Sequence, residues 1–184
     1  MSKIEIVNSL FSKEEILYIH YNLIDNNIIH KDLGRKQYMP MKLNDKIINK
    51  INNIADSFSE IKLGLSSAVA VEYSNKYGKP NLPIHWDHDN TDLIINYQLE
   101  SNTSWDIGID LKVYKMQDNS ALIFNPNKST HWRPHKTFKD NEFVKMIFFR
   151  FINIDNPSDY SNLDYTIGHE IFNEIEEYRN SLGT

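Results

Sequence analysis

The middle of the chain permits few architectures. Between residues 61 and 153, five stretches read as β-strands, with turn-rich polar pieces between them and no helical period. They are 61–73 (IKLGLSSAVAVEY), 92–99 (DLIINYQL), 109–115 (IDLKVYK), 120–126 (SALIFNP) and 142–153 (EFVKMIFFRFIN). Parallel neighbours need long crossovers, usually helices, and none separates these runs. The pattern therefore predicts an antiparallel sandwich or barrel.

Helical periods flank this region. Residues 12–27 open with a capping-box pattern, Ser12 with Glu15, and carry Ile16, Leu17, Ile19, Leu23 and Ile24 at helical spacing. Residues 44–58 place Ile47, Ile48, Ile51, Ile54, Ala55 and Phe58 on one face behind a potential Asn44 cap. A third helix is predicted over 165–181, from Ile167, Ile171, Phe172, Ile175 and Tyr178. The expectation is one mainly β domain over 1–184, with flanking helices. It has a helical part at about 1–60, a strand core at about 61–155 and a C-terminal helix, the helices covering one outer sheet face. A chain of 184 residues is long enough to bury such a core.

Strand 92–99 has two unlike faces. Leu93, Ile95, Tyr97 and Leu99 suit packing against helices. Ile94, Asn96 and Gln98 are too polar for ordinary core and too apolar for free surface, which fits either the lining of a pocket or an exposed face.

Composition excludes some functions. There is no cysteine, hence no disulfide, thiolate ligand or cysteine nucleophile, and a cytoplasmic setting is expected. The net charge is −5 with no basic block, so nucleic acid is not an expected partner. No apolar run has the length of a signal peptide core or a membrane span.

Four of the seven histidines fall in two short clusters, HWDHDN (85–90) and THWRPH (130–135). Residues two apart on an extended segment point the same way, so His85 and Asp87 aim at a common point. His131, after the strand at 120–126, is the natural third ligand. The three would form a 2-His-1-carboxylate facial triad, which holds Fe(II) by one face and leaves the other open. A lone HxD is a weak signal, and an accident in a polar loop is its plain alternative. Trp86 and Trp132 each follow a ligand histidine and are expected to pack on the opposite face. His88, Asp89 and His135 read as loop or substrate-side neighbours.

The order of these pieces resembles the 2-oxoglutarate- and Fe(II)-dependent dioxygenases, in the branch near the prolyl 4-hydroxylases. The matching segments are VEYSNKYGKPNLPIHWD (71–87), LIINYQLES (93–101), SWDIGIDLKVY (104–114), SALIFNPNKSTHWRP (120–134) and FVKMIFFRFIN (143–153). The opening IVNSLFSKEEILYI is similar to the family's N-terminal helix entry. The resemblance implies a double-stranded β-helix, or jelly roll, with the N-terminal helices on the major sheet. It implies metal and catalytic ligands at His85, Asp87 and His131. It also implies Fe(II), 2-oxoglutarate as cosubstrate and ascorbate as an addition, for hydroxylation with release of succinate and CO₂. The substrate would be a small molecule or a peptide side chain.

The family's basic anchor for the far carboxylate of 2-oxoglutarate has no direct match. Arg150 is the first choice, since an arginine inside an apolar strand needs a partner. Arg133, two residues past His131, is the second and Lys145 the third. Tyr73 matches the family's cofactor-contacting tyrosine, and Asn96 is placed to hydrogen-bond cofactor or substrate. Two rivals stay open: a cupin-like metalloenzyme that does not use 2-oxoglutarate, and a non-enzymatic jelly-roll binding module.

Overall fold

The computed structural model describes residues 3–39, 41–87, 91–155 and 168–182. Alternation of apolar and polar residues produces two antiparallel sheets. The larger runs in the order β1 (Glu5–Asn8), β8 (Ser120–Phe124), β5 (Leu93–Ser101), β10 (Val144–Asn153), β4 (Leu63–Tyr73), β3 (Arg35–Tyr38), β2 (Asp25–His30). The smaller runs β7 (Lys112–Tyr114), β6 (Ile107–Ile109), β9 (His131–Trp132). From β5 onward the chain alternates between sheets, with β6 and β7 in the small one, β8 in the large, β9 in the small and β10 in the large. This is the jelly roll that the resemblance implies, mainly β with flanking helices.

Helices α1 (Lys13–Tyr21) and α2 (Asp45–Phe58) cover the outer face of the large sheet. The α1 capping box is complete, with the Glu15 N–H on Ser12 Oγ at 3.3 Å and the Ser12 N–H on the Glu15 carboxylate at 2.8 Å. Asn44 caps α2 by accepting from the Ile47 N–H at 3.0 Å. Ile19, Ile47, Ile51 and Ala55 pack on Ile95, Tyr97, Ile147, Phe149 and Phe151. These are the inward stripes of two helices meeting one face of β5 and β10, as the period-two reading of 92–99 requires.

The N-terminal region departs from expectation in one respect. Helix α1 ends at Tyr21 rather than near 27, and residues 1–60 contain three strands that periodicity does not reveal. The Asn22 side chain donates to the Tyr18 carbonyl at 2.8 Å and closes the helix. Asn27 then takes a left-handed conformation, φ 57°, within a bulged start to β2. A hairpin forms that adds β3 to β4, while β1 adds to the opposite edge at β8. The stretch 109–115 is likewise a hairpin rather than one strand, because Asp110 turns the chain at φ 49°. The last helix, α3, spans Gly168–Ser181; residues 165–167 lie outside the described region.

A second cluster fills the space between the sheets. Val71, Tyr73, Ile94, Trp105, Ile107, Ile109, Leu122, Phe124, Val144 and Met146 face one another there. No described helix is long and apolar enough to cross a membrane.

Candidate metal centre

His85 and Asp87 lie on an extended segment before β5, and His131 opens β9. The two histidines form an antiparallel bridge. The His85 N–H donates to the His131 carbonyl at 3.2 Å, and the His131 N–H returns to the His85 carbonyl at 2.9 Å. The Asp87 N–H donates to the Pro126 carbonyl at 3.2 Å. Strand-like pairing preserves the parity argument, with 85 and 87 turned inward and Trp86 outward.

The donors converge. Asp87 Oδ1 stands 3.8 Å from His85 Nε2 and 3.6 Å from His131 Nε2. One ligand atom from each residue lies within 4.8 Å of the others. His85 Nδ1 is 2.7 Å from the Pro83 carbonyl, which can only accept, so Nδ1 carries the proton and Nε2 keeps its lone pair for a metal. Burial and the neighbouring His85 push the His131 imidazole well below its usual range, against an opposing pull from the Ser129 backbone. A neutral imidazole is the form that ligates. Two imidazole nitrogens and one carboxylate oxygen match the donor set that suits non-haem Fe(II).

The tryptophans beside His85 and His131 pack on α3. Trp86 meets Phe172 at 4.7 Å between ring centroids, and Trp132 meets Tyr178 edge-on at 6.0 Å. Gly108 lies under the Trp132 ring, where a Cβ would come within 2.1 Å of a ring carbon. The glycine of the GID stretch is therefore set by close approach, whereas Ile109 faces inward and pairs with His131 across β6 and β9.

The basic residues separate. Arg150, on the inner face of β10, places Nη2 3.8 Å from Asp87 Oδ2. Arg133 is 1 % exposed and lies inside the jelly roll. Its Nη1 donates to the Trp105 carbonyl, Nη2 lies against Met146 Sδ, and the guanidinium stacks 4.6 Å from the Trp105 ring centroid. Burial pushes Arg133 down to about 10, opposed by Tyr73 and Asp106. It forms no ion pair among the described residues. Lys145 is not brought to the site. It pairs with Glu100 at 3.2 Å and Glu72 at 3.8 Å on the helix side of the sheet, because parity turns it away from Arg150.

Tyr73 is fully buried and packs edge-on against Trp105 at 5.1 Å. Asn96 is buried on the inner face of β5. His135 sits on the rim, 3.7 Å from Glu176 of α3. His88 and Asp89 lie outside the described residues. A cavity of about 680 Å³ lies between the small sheet and α3, with Trp86, Ile109, Leu111, Tyr114, Thr130 and Ile171 among its walls; His85, Asp87 and His131 do not line it. Arg179 is a buried residue of this region that sequence reasoning missed. Its signal was an arginine four residues after Ile175, on the apolar stripe of α3.

By sequence, no family model matches the chain, and no curated protein does. Solved structures do. A viral collagen prolyl hydroxylase from Paramecium Bursaria Chlorella virus-1, in complex with 2-oxoglutarate, superposes with a TM-score of 0.62 at 11% identity, covering 80% of this chain and 94% of that one. A prolyl hydroxylase from Trichoplax adhaerens, bound to a hypoxia inducible factor peptide fragment, gives 0.56 at 12% identity over 88% and 87%. HygX from Streptomyces hygroscopicus, with nickel and 2-oxoglutarate, gives 0.56 at 8% identity over 82% of each chain. The chain thus has the fold of the 2-oxoglutarate–Fe(II) oxygenases, and its His–Asp–His group stands within that fold.

Proposed function

We propose that the protein is an Fe(II)- and 2-oxoglutarate-dependent oxygenase, a single catalytic domain that hydroxylates a C–H bond of a small molecule or a peptide side chain. The observation that carries this reading is Arg133, a fully buried guanidinium with no ion pair among the described residues, two positions past a metal ligand. Burying a charge without a counter-charge is expensive, and a bound carboxylate is the natural remedy. A cupin-like enzyme that does not use 2-oxoglutarate, or a plain binding module, leaves that cation without a purpose.

The roles then divide. His85, Asp87 and His131 would hold the metal. Arg133 would take the far carboxylate of 2-oxoglutarate, beside Tyr73, while Asn96 would offer an amide from the inner face of β5. Arg133 is preferred to Arg150 because Arg150 already has a counter-charge in Asp87 Oδ2. That contact leaves Oδ1 turned toward the histidines and fixes the carboxylate. When bound, metal and keto acid would supply an oxidant derived from dioxygen, with succinate and CO₂ released. Likeness to a neighbour bound to a peptide keeps peptide side chains within the substrate class.

The test is an anaerobic titration of the apo-protein with Fe(II) and then 2-oxoglutarate. The weak visible charge-transfer band of a chelated keto acid is expected, and Asp87→Ala should abolish it. Iron binding without a band would favour the cupin-like reading, and no metal binding would favour the module.

A further inference from the structure

We infer that Arg179 is a positioning residue for the cofactor anchor, so that docking of the C-terminal helix and binding of 2-oxoglutarate are coupled. The inference rests on Arg133 being that anchor, as proposed above.

Arg179 lies in the last turns of α3 and is 4 % exposed. An arginine on a helix of a small protein ordinarily extends into water. This one turns inward and spends its donors on the segments that carry the site. Its Nε donates to the backbone carbonyl of Arg133 at 2.8 Å. Its Nη2 donates to Asn81 Oδ1 at 2.8 Å and approaches the Leu82 carbonyl at 3.4 Å. Glu176, one turn earlier, stands 3.4 Å from Nη1 and balances the charge.

Residues 81–82 lead directly into His85. The Arg133 N–H in turn donates to the Leu82 carbonyl at 3.1 Å. The Arg133 peptide is therefore held from both sides, its N–H by Leu82 and its carbonyl by Arg179. The neighbouring ring contacts, Trp86 on Phe172 and Trp132 on Tyr178, place the same helix behind both ligand-bearing segments. An anchor must be held to within about half an ångström to accept a carboxylate with two donors. At the guanidinium end Arg133 is held by the Trp105 and Asp106 carbonyls, the Met146 sulfur and the Trp105 ring face. Its backbone fixation supplies the rest.

Coupling of this kind is reciprocal. If α3 docking favours 2-oxoglutarate binding, 2-oxoglutarate must favour α3 docking by the same factor. This gives a readout that a purely structural arginine would not move.

The experiment uses the full chain loaded anaerobically with Fe(II). First, amide hydrogen exchange over 170–181 is followed in the wild type with and without 2-oxoglutarate. Slower exchange on adding the keto acid is expected, by threefold or more, and unchanged exchange would overturn the coupling. Second, the dissociation constant of 2-oxoglutarate is measured from its charge-transfer band in Arg179→Met and Arg179→Lys. We expect Arg179→Met to weaken 2-oxoglutarate at least tenfold with Fe(II) affinity within threefold of wild type, and Arg179→Lys to recover part of the loss. Equal weakening of iron and keto acid would reduce Arg179 to a structural role and overturn the inference. So would unchanged 2-oxoglutarate affinity in Arg179→Met, provided the wild type shows the band and Arg133→Gln loses it. If the wild type shows no band, the oxygenase reading itself fails and takes the inference with it.

Discussion

Strand β10 serves two regions that obey different rules. On one face, Ile147, Phe149 and Phe151 press into the helices, and their partners are almost all hydrocarbon. On the other, Val144, Met146 and Phe148 lead to Arg150, beside Asp87, in a space that also holds Asn96, Tyr73 and Arg133. The first face can be judged by packing alone. The second buries a cation that no ion pair among the described residues explains, and that excess over folding needs is what supports the proposed site there.

The sharpest way to test the contrast is to truncate one residue on each face. His131→Ala removes a proposed ligand and should lower metal affinity by two orders of magnitude or more, since even supporting residues behind a metal site account for ~10–100-fold. Titration with Fe(II) or Co(II) would show it, with the protein still folded. Phe149→Ala should do the reverse. It leaves a cavity under α1 and α2 and costs about 3–5 kcal/mol of stability in urea unfolding, while the folded fraction binds metal normally. If Phe149→Ala abolished metal binding outright at low temperature, the two faces would not be separable.

Next in size is the division between the two inner arginines. Arg133→Gln should lose the keto-acid band and keep the metal, an effect of about 2–5 kcal/mol on 2-oxoglutarate, as when one partner of a buried charge pair is cut. Arg150→Gln should instead weaken metal about 10–100-fold through Asp87. An exchange of these phenotypes in the two titrations would reassign the anchor to Arg150.

How much of this is legible in sequence depends on whether the signal is local. The grouping of His85, Asp87 and His131 could be read, because HxD parity holds on any extended segment and His131 follows a recognisable strand. The two faces of β5 and β10 could be read for the same reason, and the exclusion of Lys145 follows from β10 parity once Arg150 is known to face inward. The strands β1, β2 and β3 could not. They lie at sheet edges, carry mixed polar residues and are defined by pairing with β8 and β4, which are distant in the chain. The choice between Arg133 and Arg150 was hidden too, because it turns on which of them meets a carboxylate in space. Arg179 was hidden by its own helix, where one arginine on an apolar stripe looks like imperfect amphipathicity.

Gly108→Ala tests how tightly the small sheet is built. The added methyl must push the Trp132 ring, which is itself held by a 2.9 Å hydrogen bond from Nε1 to the Asp110 carbonyl and backed by Tyr178. Overpacking of this sort costs about 1–3 kcal/mol. Because Trp132 follows His131, a drop in metal affinity should accompany the fall in melting temperature. A fall in stability with metal affinity untouched would mean that β9 yields as a unit and the ligand rides along.

The smallest expected effect separates a buried charge that is satisfied from one that is not. Glu15 is buried where α1 meets α2, as Arg133 is between the sheets, but it has its counter-charges. Burial alone would raise its pKa. The hydrogen bond from Lys50 at 2.7 Å, the Ser12 N–H at 2.8 Å and Lys46 at 3.3 Å outweigh that and pull it down to about 2 from an ordinary 4.5. A carboxyl depressed in the folded state contributes stability that is complete above the unfolded value and is lost as pH falls toward the folded one. Both lysines are substantially exposed, so solvent screening reduces the contribution to roughly 1 kcal/mol. Urea unfolding of the metal-free protein should therefore show wild type more stable than Glu15→Gln by about this amount at neutral pH. The gap should close between pH 4.5 and 2, with no difference in metal or 2-oxoglutarate binding where both variants are folded. A gap that stayed constant across that range would mean Glu15 acts through its shape and its cap to Ser12, and not through its charge.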